Sequence, residues 1–245
     1  MTTTTSGWSD NWMPSWPTFL MALILALALG ASGCARAAPN PPYTANELAY
    51  LPVLKAEIDA HWPDVPWRAP LGAQVNQETC ASLTHRKCWS PTAELKTSRE
   101  YGFGLGQLTV TSQFDNFAAA KQLHPTLSGW DWDNRYDPEF QLRTMVLMNR
   151  FNYGKVSWAA TQHERMAFTF AAYNGGLGGV LSDRGVCRAT AGCDPSKWFG
   201  HVQLTSKKAK TAASGYGKSF FEINREYVSN VMIHRRARYR PYFGE

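Results

Sequence analysis

The chain has 245 residues, 44% hydrophobic and 18% charged, a balance that excludes a disordered segment and fits one ordinary domain with additions. Its formal net charge of +6 favours an anionic partner through long-range attraction. No recognisable nucleic-acid module occurs, so nucleic acid is not the expected partner.

In chain order, Phe19 to Gly33 is an almost unbroken apolar run that ends in Ala31-Ser32-Gly33-Cys34. It is shorter than the roughly 20 apolar residues of a membrane span and suits an export signal. Small residues directly before a cysteine resemble a bacterial lipoprotein cleavage site, with Cys34 the lipidation candidate. Ala31 departs from the usual leucine, and residues 1–18 lack Lys and Arg, so two readings stay open beside it. One is ordinary cleavage after Ala35-Arg36-Ala37; the other is a retained anchor. The expected division is a signal at 1–34, a Pro-rich linker at 35–43 around Ala38-Pro39-Asn40-Pro41-Pro42, and one folded domain at 44–245.

Thr44 and Glu47 have capping-box spacing, and Leu48, Leu51, Leu54 and Ile58 recur at helical intervals up to Trp62-Pro63. Leu71 to Glu78 predicts a short second helix that puts Glu78 at its C-terminal end. Asp137-Pro138 is a cap followed by proline at the first helical position, opening a helix to about Phe151. His163 to Asn174 predicts another helix, stopped by Gly175. Lys218 to His234 predicts the last, with Phe220, Ile223, Tyr227 and Val231 inward. Residues 183–217, rich in Gly, Cys, Ser and Lys, read as a long excursion between core helices. Arg235, Arg236, Arg238 and Arg240 crowd one terminal segment and read as a solvated tail. No period-2 run of any length is visible, so the expected architecture is mainly helical and single-domain, with little or no β structure.

Cys80, Cys88, Cys187 and Cys193 form two local pairs beside Cys34. Four cysteines allow three connectivities; the short loops favour Cys80–Cys88 and Cys187–Cys193 in an oxidising compartment.

Three stretches carry the chemistry: Glu78 in Gln74-Val75-Asn76-Gln77-Glu78-Thr79, the run Gly104-Leu105-Gly106-Gln107, and Ala171-Ala172-Tyr173-Asn174-Gly175-Gly176. In that order they resemble the catalytic core of the soluble lytic transglycosylases, members of the lysozyme superfamily that cleave peptidoglycan glycan strands. The resemblance covers about residues 45 to 235. It implies a lysozyme-like helical domain and a peptidoglycan lytic transglycosylase, an EC 4.2.2-type lyase. Such an enzyme cleaves the MurNAc-β-1,4-GlcNAc bond and leaves 1,6-anhydroMurNAc ends.

The resemblance assigns Glu78 as the single acid and base. Gln107, Tyr173, Asn174, Gly104 and Gly175 become substrate-binding residues, with the Tyr173 hydroxyl orienting the carboxyl. Thr79 stands where the family has serine, and Gly106 replaces a methionine, so one wall of the groove is missing or supplied elsewhere. Arg225, Tyr227 and Val228 resemble a later family pattern. The segment with Cys80 and Cys88 is an insertion, expected to close as a loop beside the groove. Peptidoglycan is the implied partner, in the periplasm, with membrane attachment only through the N-terminal signal or an outer-membrane lipid anchor.

Two alternatives remain. A goose-type lysozyme would carry an acid two positions after the glutamine, where this chain has Thr109, though Glu94, Glu100 and Asp115 are candidate second carboxylates. A non-catalytic peptidoglycan-binding protein would have no need of an acid at 78. No HExxH or GxSxG occurs, the six histidines are scattered, and neither metal nor cofactor is expected.

Overall fold

The computed structural model describes residues 42–97, 100–208, 210–213 and 217–245. These lie in one compact unit, Asn40–Glu245. The signal at 1–34 with Cys34, and the linker up to residue 41, lie outside the described residues.

Helix α1, Ala45–His61, starts on the expected capping box: Thr44 Oγ1 accepts from Glu47 N, and the Glu47 carboxylate accepts from Thr44 N. Leu51, Leu54 and Ile58 are buried, but Leu48 is 59% exposed, and Glu47 heads the inward stripe instead. Helix α2, Ala69–Thr79, is buried along nearly its whole length from Ala69 to Asn76. A three-stranded antiparallel sheet follows, of β1 Glu94–Lys96, β2 Glu100–Phe103 and β3 Leu108–Thr111, in that order. Its strands are too short to show a period-2 pattern, which is why the sequence did not reveal them. Phe103 and Leu108 pair across the β2–β3 hairpin and join Phe117 of α3 (Asn116–Ala120) and Trp130 in a small second core.

Asp137 caps α4, Pro138–Lys155, by accepting from Glu139 N and Phe140 N. Arg143 of α4 grips Glu57 of α1 with two hydrogen bonds of 2.9 and 2.8 Å. Helix α5, Gln162–Gly175, is buried without interruption from Met166 to Ala172, as a helix at the centre of a bundle must be.

Several expectations are corrected in the last third of the chain. The segment from 183 is not wholly an excursion, because α6, Leu177–Arg188, runs into it before the Cys187–Cys193 disulfide pins the following turn. The expected helix at 218–234 is α7, Phe220–Ser229, continued by a π-helical turn, Asn230–His234, and a further helix, α8 Arg236–Phe243, follows it. Asn224, Tyr227, Val228 and Val231 face inward, whereas Phe220 is 44% exposed. The basic terminal segment is not a solvated tail. Arg238 is buried and pairs with Glu47 at 2.6 Å, and Arg235 bonds Asn76 and the carbonyl of Cys80 at the end of α2.

At the centre of this junction the Tyr239 hydroxyl donates to Glu47 Oε1 at 2.8 Å. It accepts from Asn76 Nδ2 at 2.8 Å and from Trp89 Nε1 at 3.0 Å. One oxygen therefore joins α1, α2, α8 and the end of the inserted loop. The ring packs on Gly72, where a Cβ would lie 2.9 Å from Tyr239 Cγ. Tyr239→Phe leaves two buried donors unpaired and strips a donor from Glu47. The expected loss is about 2–4 kcal/mol of unfolding free energy, read from urea denaturation, since abandoned buried partners bear the full desolvation penalty.

Candidate active site

Glu78 occupies the last turn of α2, one residue before its end at Thr79. Its residue surface is only partly exposed, and protein crowds the carboxyl closely enough to shift its protonation. Burial pushes the Glu78 pKa up to about 8; the hydrogen bond from Tyr227, which favours the carboxylate, pulls against it. Tyr227 Oη donates to Glu78 Oε1 at 2.5 Å. Gln74, one turn earlier on α2, is fully buried and accepts from Asn149 Nδ2 of α4 at 2.7 Å.

The expectation that Tyr173 orients the carboxyl is met by a different tyrosine. Tyr173 Oη donates instead to Gly106 O at 2.7 Å, which ties the end of α5 to the tip of the β2–β3 hairpin. Both hydroxyls are held protonated, by burial first and by the Glu78 charge second, so Tyr173 and Tyr227 both lie within the electrostatic reach of Glu78. Sequence reasoning placed Tyr227 on an inward face but did not pair it with the acid. The available signal was its place in the Arg225-to-Val228 pattern.

Gly104 to Gln107 form the hairpin tip, where Gly104 has φ +79° and Gln107 has φ +45°. Glycine is required at 104 on two grounds: the left-handed backbone, and Gln141 Cδ only 2.5 Å from where a Cβ would stand. Gln141 of α4 holds the tip by accepting from Leu105 N at 2.8 Å. The Gln107 amide donates to Gly104 O at 2.9 Å and Ala93 O at 3.1 Å, which secures its own turn. Its Oε1 forms no hydrogen bond among the described residues. A Cβ at Gly106 would stand 2.7 Å from Tyr173 Oη and 3.4 Å from Met145 Cβ. Met145, from α4, therefore sits beside the position of the absent methionine.

Asn174 is exposed at the end of α5, and its Oδ1 accepts from Asn224 Nδ2 at 3.0 Å. A Cβ at Gly175 would come within 2.7 Å of the same Nδ2, so glycine lets α7 approach α5 there. The Cys80–Cys88 disulfide forms, and it begins two residues after Glu78. Thr79 Oγ1 accepts from Trp89 N at 2.9 Å, closing the base of the inserted loop.

The other acids have bonds of their own. Glu94 accepts from the hydroxyls of Tyr101 and Tyr136, which hold its carboxyl below the ordinary range. Asp115 caps α3 through Ala118 N at 2.9 Å, and Thr109 donates to Gln107 O at 3.1 Å. Among the described residues no three His, Cys, Asp or Glu side chains gather as metal ligands would.

The raised pKa of Glu78 has a definite sign in stability. Between its ordinary value of 4.5 and about 8, folded protein holds a proton that the unfolded chain has released. Wild-type stability therefore falls as pH rises through that window, and a neutral glutamine escapes the loss. The melting-temperature advantage of Glu78→Gln is expected to be small near pH 4.5, to widen towards pH 8 and to level off above it. In Tyr227→Phe the carboxylate loses its donor, so the Glu78 titration, followed by carboxyl NMR, is expected to move above its wild-type midpoint.

No family model matches the chain. It is similar to a protein named membrane-bound lytic murein transglycosylase F in Vibrio vulnificus, at 28% identity over 176 residues, covering 68% of this chain and 30% of that protein. The protein of the same name in Vibrio campbellii is 29% identical over 175 residues, covering 68% of this chain and 29% of the relative. In Vibrio parahaemolyticus it is 26% identical over 185 residues, covering 72% and 32%. The chain thus spans less than a third of the length of these relatives, and the similarity supports a lytic transglycosylase family.

Proposed function

We propose that residues 44–245 form a peptidoglycan lytic transglycosylase domain in which Glu78 acts first as acid and then as base. Glycosidic cleavage needs a proton at the leaving oxygen, and a carboxyl titrating near 8 still carries one at neutral pH. Glu78 gives that proton to the bridging oxygen as the C1–O bond breaks, with the substrate's acetamido group assisting at C1. The resulting carboxylate, steadied by Tyr227, takes the proton of the muramic acid 6-hydroxyl. That oxygen attacks C1, closing the 1,6-anhydro ring, and no water is consumed. Gln107, Tyr173, Asn174, Gly104 and Gly175 shape the glycan site in this reading.

The observation that carries the proposal is the Glu78 carboxyl at the end of α2, crowded by protein and hydrogen-bonded by the Tyr227 hydroxyl. It is joined by the lytic murein transglycosylase name of the relatives. The single-carboxylate route is favoured over goose-type hydrolysis because Glu94 and Asp115 are engaged elsewhere and Thr109 replaces an acid. Export to the periplasm, with attachment through Cys34 or the apolar run before it, belongs to the same reading. The two disulfides suit that oxidising compartment, and the relatives are named as membrane-bound.

Digestion of purified sacculi with mass analysis of the soluble fragments tests the reaction. Wild-type protein is expected to release 1,6-anhydro ends; reducing ends would assign hydrolysis instead. Glu78→Gln is expected to lower turnover by at least about 10²–10⁴-fold, the usual worth of a general acid, while glycan affinity is retained.

A further inference from the structure

The inserted loop and β1 enclose a cleft of about 480 Å³ lined by Arg86, Lys87, Ser90, Thr92, Glu94 and Lys96. Three cations meet one acid there. The acid is already used: Glu94 Oε1 accepts from two tyrosine hydroxyls, and Arg135 lies near enough to stabilise its charge. Lys87 is partly used, since its Nζ donates to the Glu94 carbonyl. Arg86 and Lys96 are exposed and make no hydrogen bond or ion pair among the described residues. A cleft with two uncommitted cations beside paired hydroxyls (Ser90 and Thr92, 3.0 Å apart) is built to receive an anion. A guanidinium beside ammonium groups suits a carboxylate.

The cleft is joined to the candidate active site at both ends. Arg86 and Lys87 lie inside the loop closed by Cys80–Cys88, which starts two residues after Glu78. Ala93, between Thr92 and Glu94, accepts at its carbonyl from Gly104 N at 2.8 Å and from the Gln107 amide at 3.1 Å. Ala93 thus ties the Thr92–Glu94 edge of the cleft directly to the hairpin tip. In peptidoglycan the muramic acid residues carry peptide stems with free carboxylates, which brings acidic groups to the flank of any bound strand.

We propose that this cleft binds a carboxylate of the peptide stem, so that the inserted loop selects glycan strands that still carry their peptides. The inference rests on the transglycosylase reading for its substrate, but the cleft is tested separately. The full chain and an Arg86→Ala/Lys96→Ala variant are compared on stem-bearing strands and on the same strands stripped by an amidase. Neither side chain bonds to the rest of the described fold, so the variant is expected to melt with wild type. The expected result is a five- to tenfold rise in KM, roughly what two exposed charge contacts supply, on stem-bearing strands alone. Added salt should erode the wild-type preference in the same way.

Equal kinetics of the two proteins on both substrates overturns the assignment, and so does an equal loss on both. Titration with a free stem tripeptide reads the cleft without catalysis. Binding that the variant loses supports the site, whereas binding no tighter than that of inorganic phosphate overturns it. If the wild type cleaves neither strand yet binds the tripeptide, the transglycosylase reading falls and the cleft stands.

Discussion

The Tyr239 hydroxyl, with Glu47 beneath it, is the contact on which the arrangement of the helices around Glu78 depends. It is saturated, donating to Glu47 and accepting from Asn76 and Trp89. Asn76 stands two residues before Glu78 on the same helix, so the hydrogen bond that locates Asn76 also fixes the direction in which α2 ends. Arg235 holds the same end of the helix through Asn76 and the carbonyl of Cys80. The Glu78 end of α2 is thus fixed by side chains from the C-terminal part of the chain. A buried ion pair such as Glu47–Arg238 contributes little net stability once desolvation is counted, and its value here is in setting one arrangement of helices.

The chain treats Glu47 and Glu78 in opposite ways. Burial pushes the Glu47 carboxyl upward, but the Arg238 guanidinium, the Thr44 amide and the Tyr239 hydroxyl together hold it below the ordinary range. Among the described residues Glu78 has no cation beside it and one hydrogen-bond donor, Tyr227, so burial prevails and the proton stays at neutral pH. The same residue type is a fixed anion in one place and keeps its proton to about pH 8 in the other. The difference lies in the donors and the positive charge around each carboxyl, which for Glu47 come from Thr44 nearby and from Arg238 and Tyr239 far along the chain.

The hairpin tip completes this arrangement at the cost of two left-handed residues. Gly104 accepts its conformation freely, while Gln107 must be held in it, and its amide is bonded to Gly104 O and Ala93 O. Tyr173 reaches across to Gly106 O, so the tip is anchored from α5 as well as from Gln141 on α4. The absence of a side chain at Gly106 is what leaves room for that hydroxyl.

Local features were legible in the amino-acid order because local physics decides them. The Thr44 capping box, the helical periods of α1, α4 and α5, the site of Glu78 near the end of a short helix, and the pairing of cysteines a few residues apart all follow from neighbouring residues. The inward place of Glu47 was not legible, because the charge that permits it stands 191 residues away on Arg238. Tyr227 was visible as an inward residue, but its hydrogen bond to Glu78 exists only once α7 packs against α2. Arg238 looked solvated for the same reason, and the short strands carried too few residues to display a period. Sequence by itself determined helices α1, α2, α4, α5 and α7 and which acid stands at the end of one. Tertiary structure alone decided which groups surround each acid, because desolvation and hydrogen bonding depend on neighbours in space rather than along the chain.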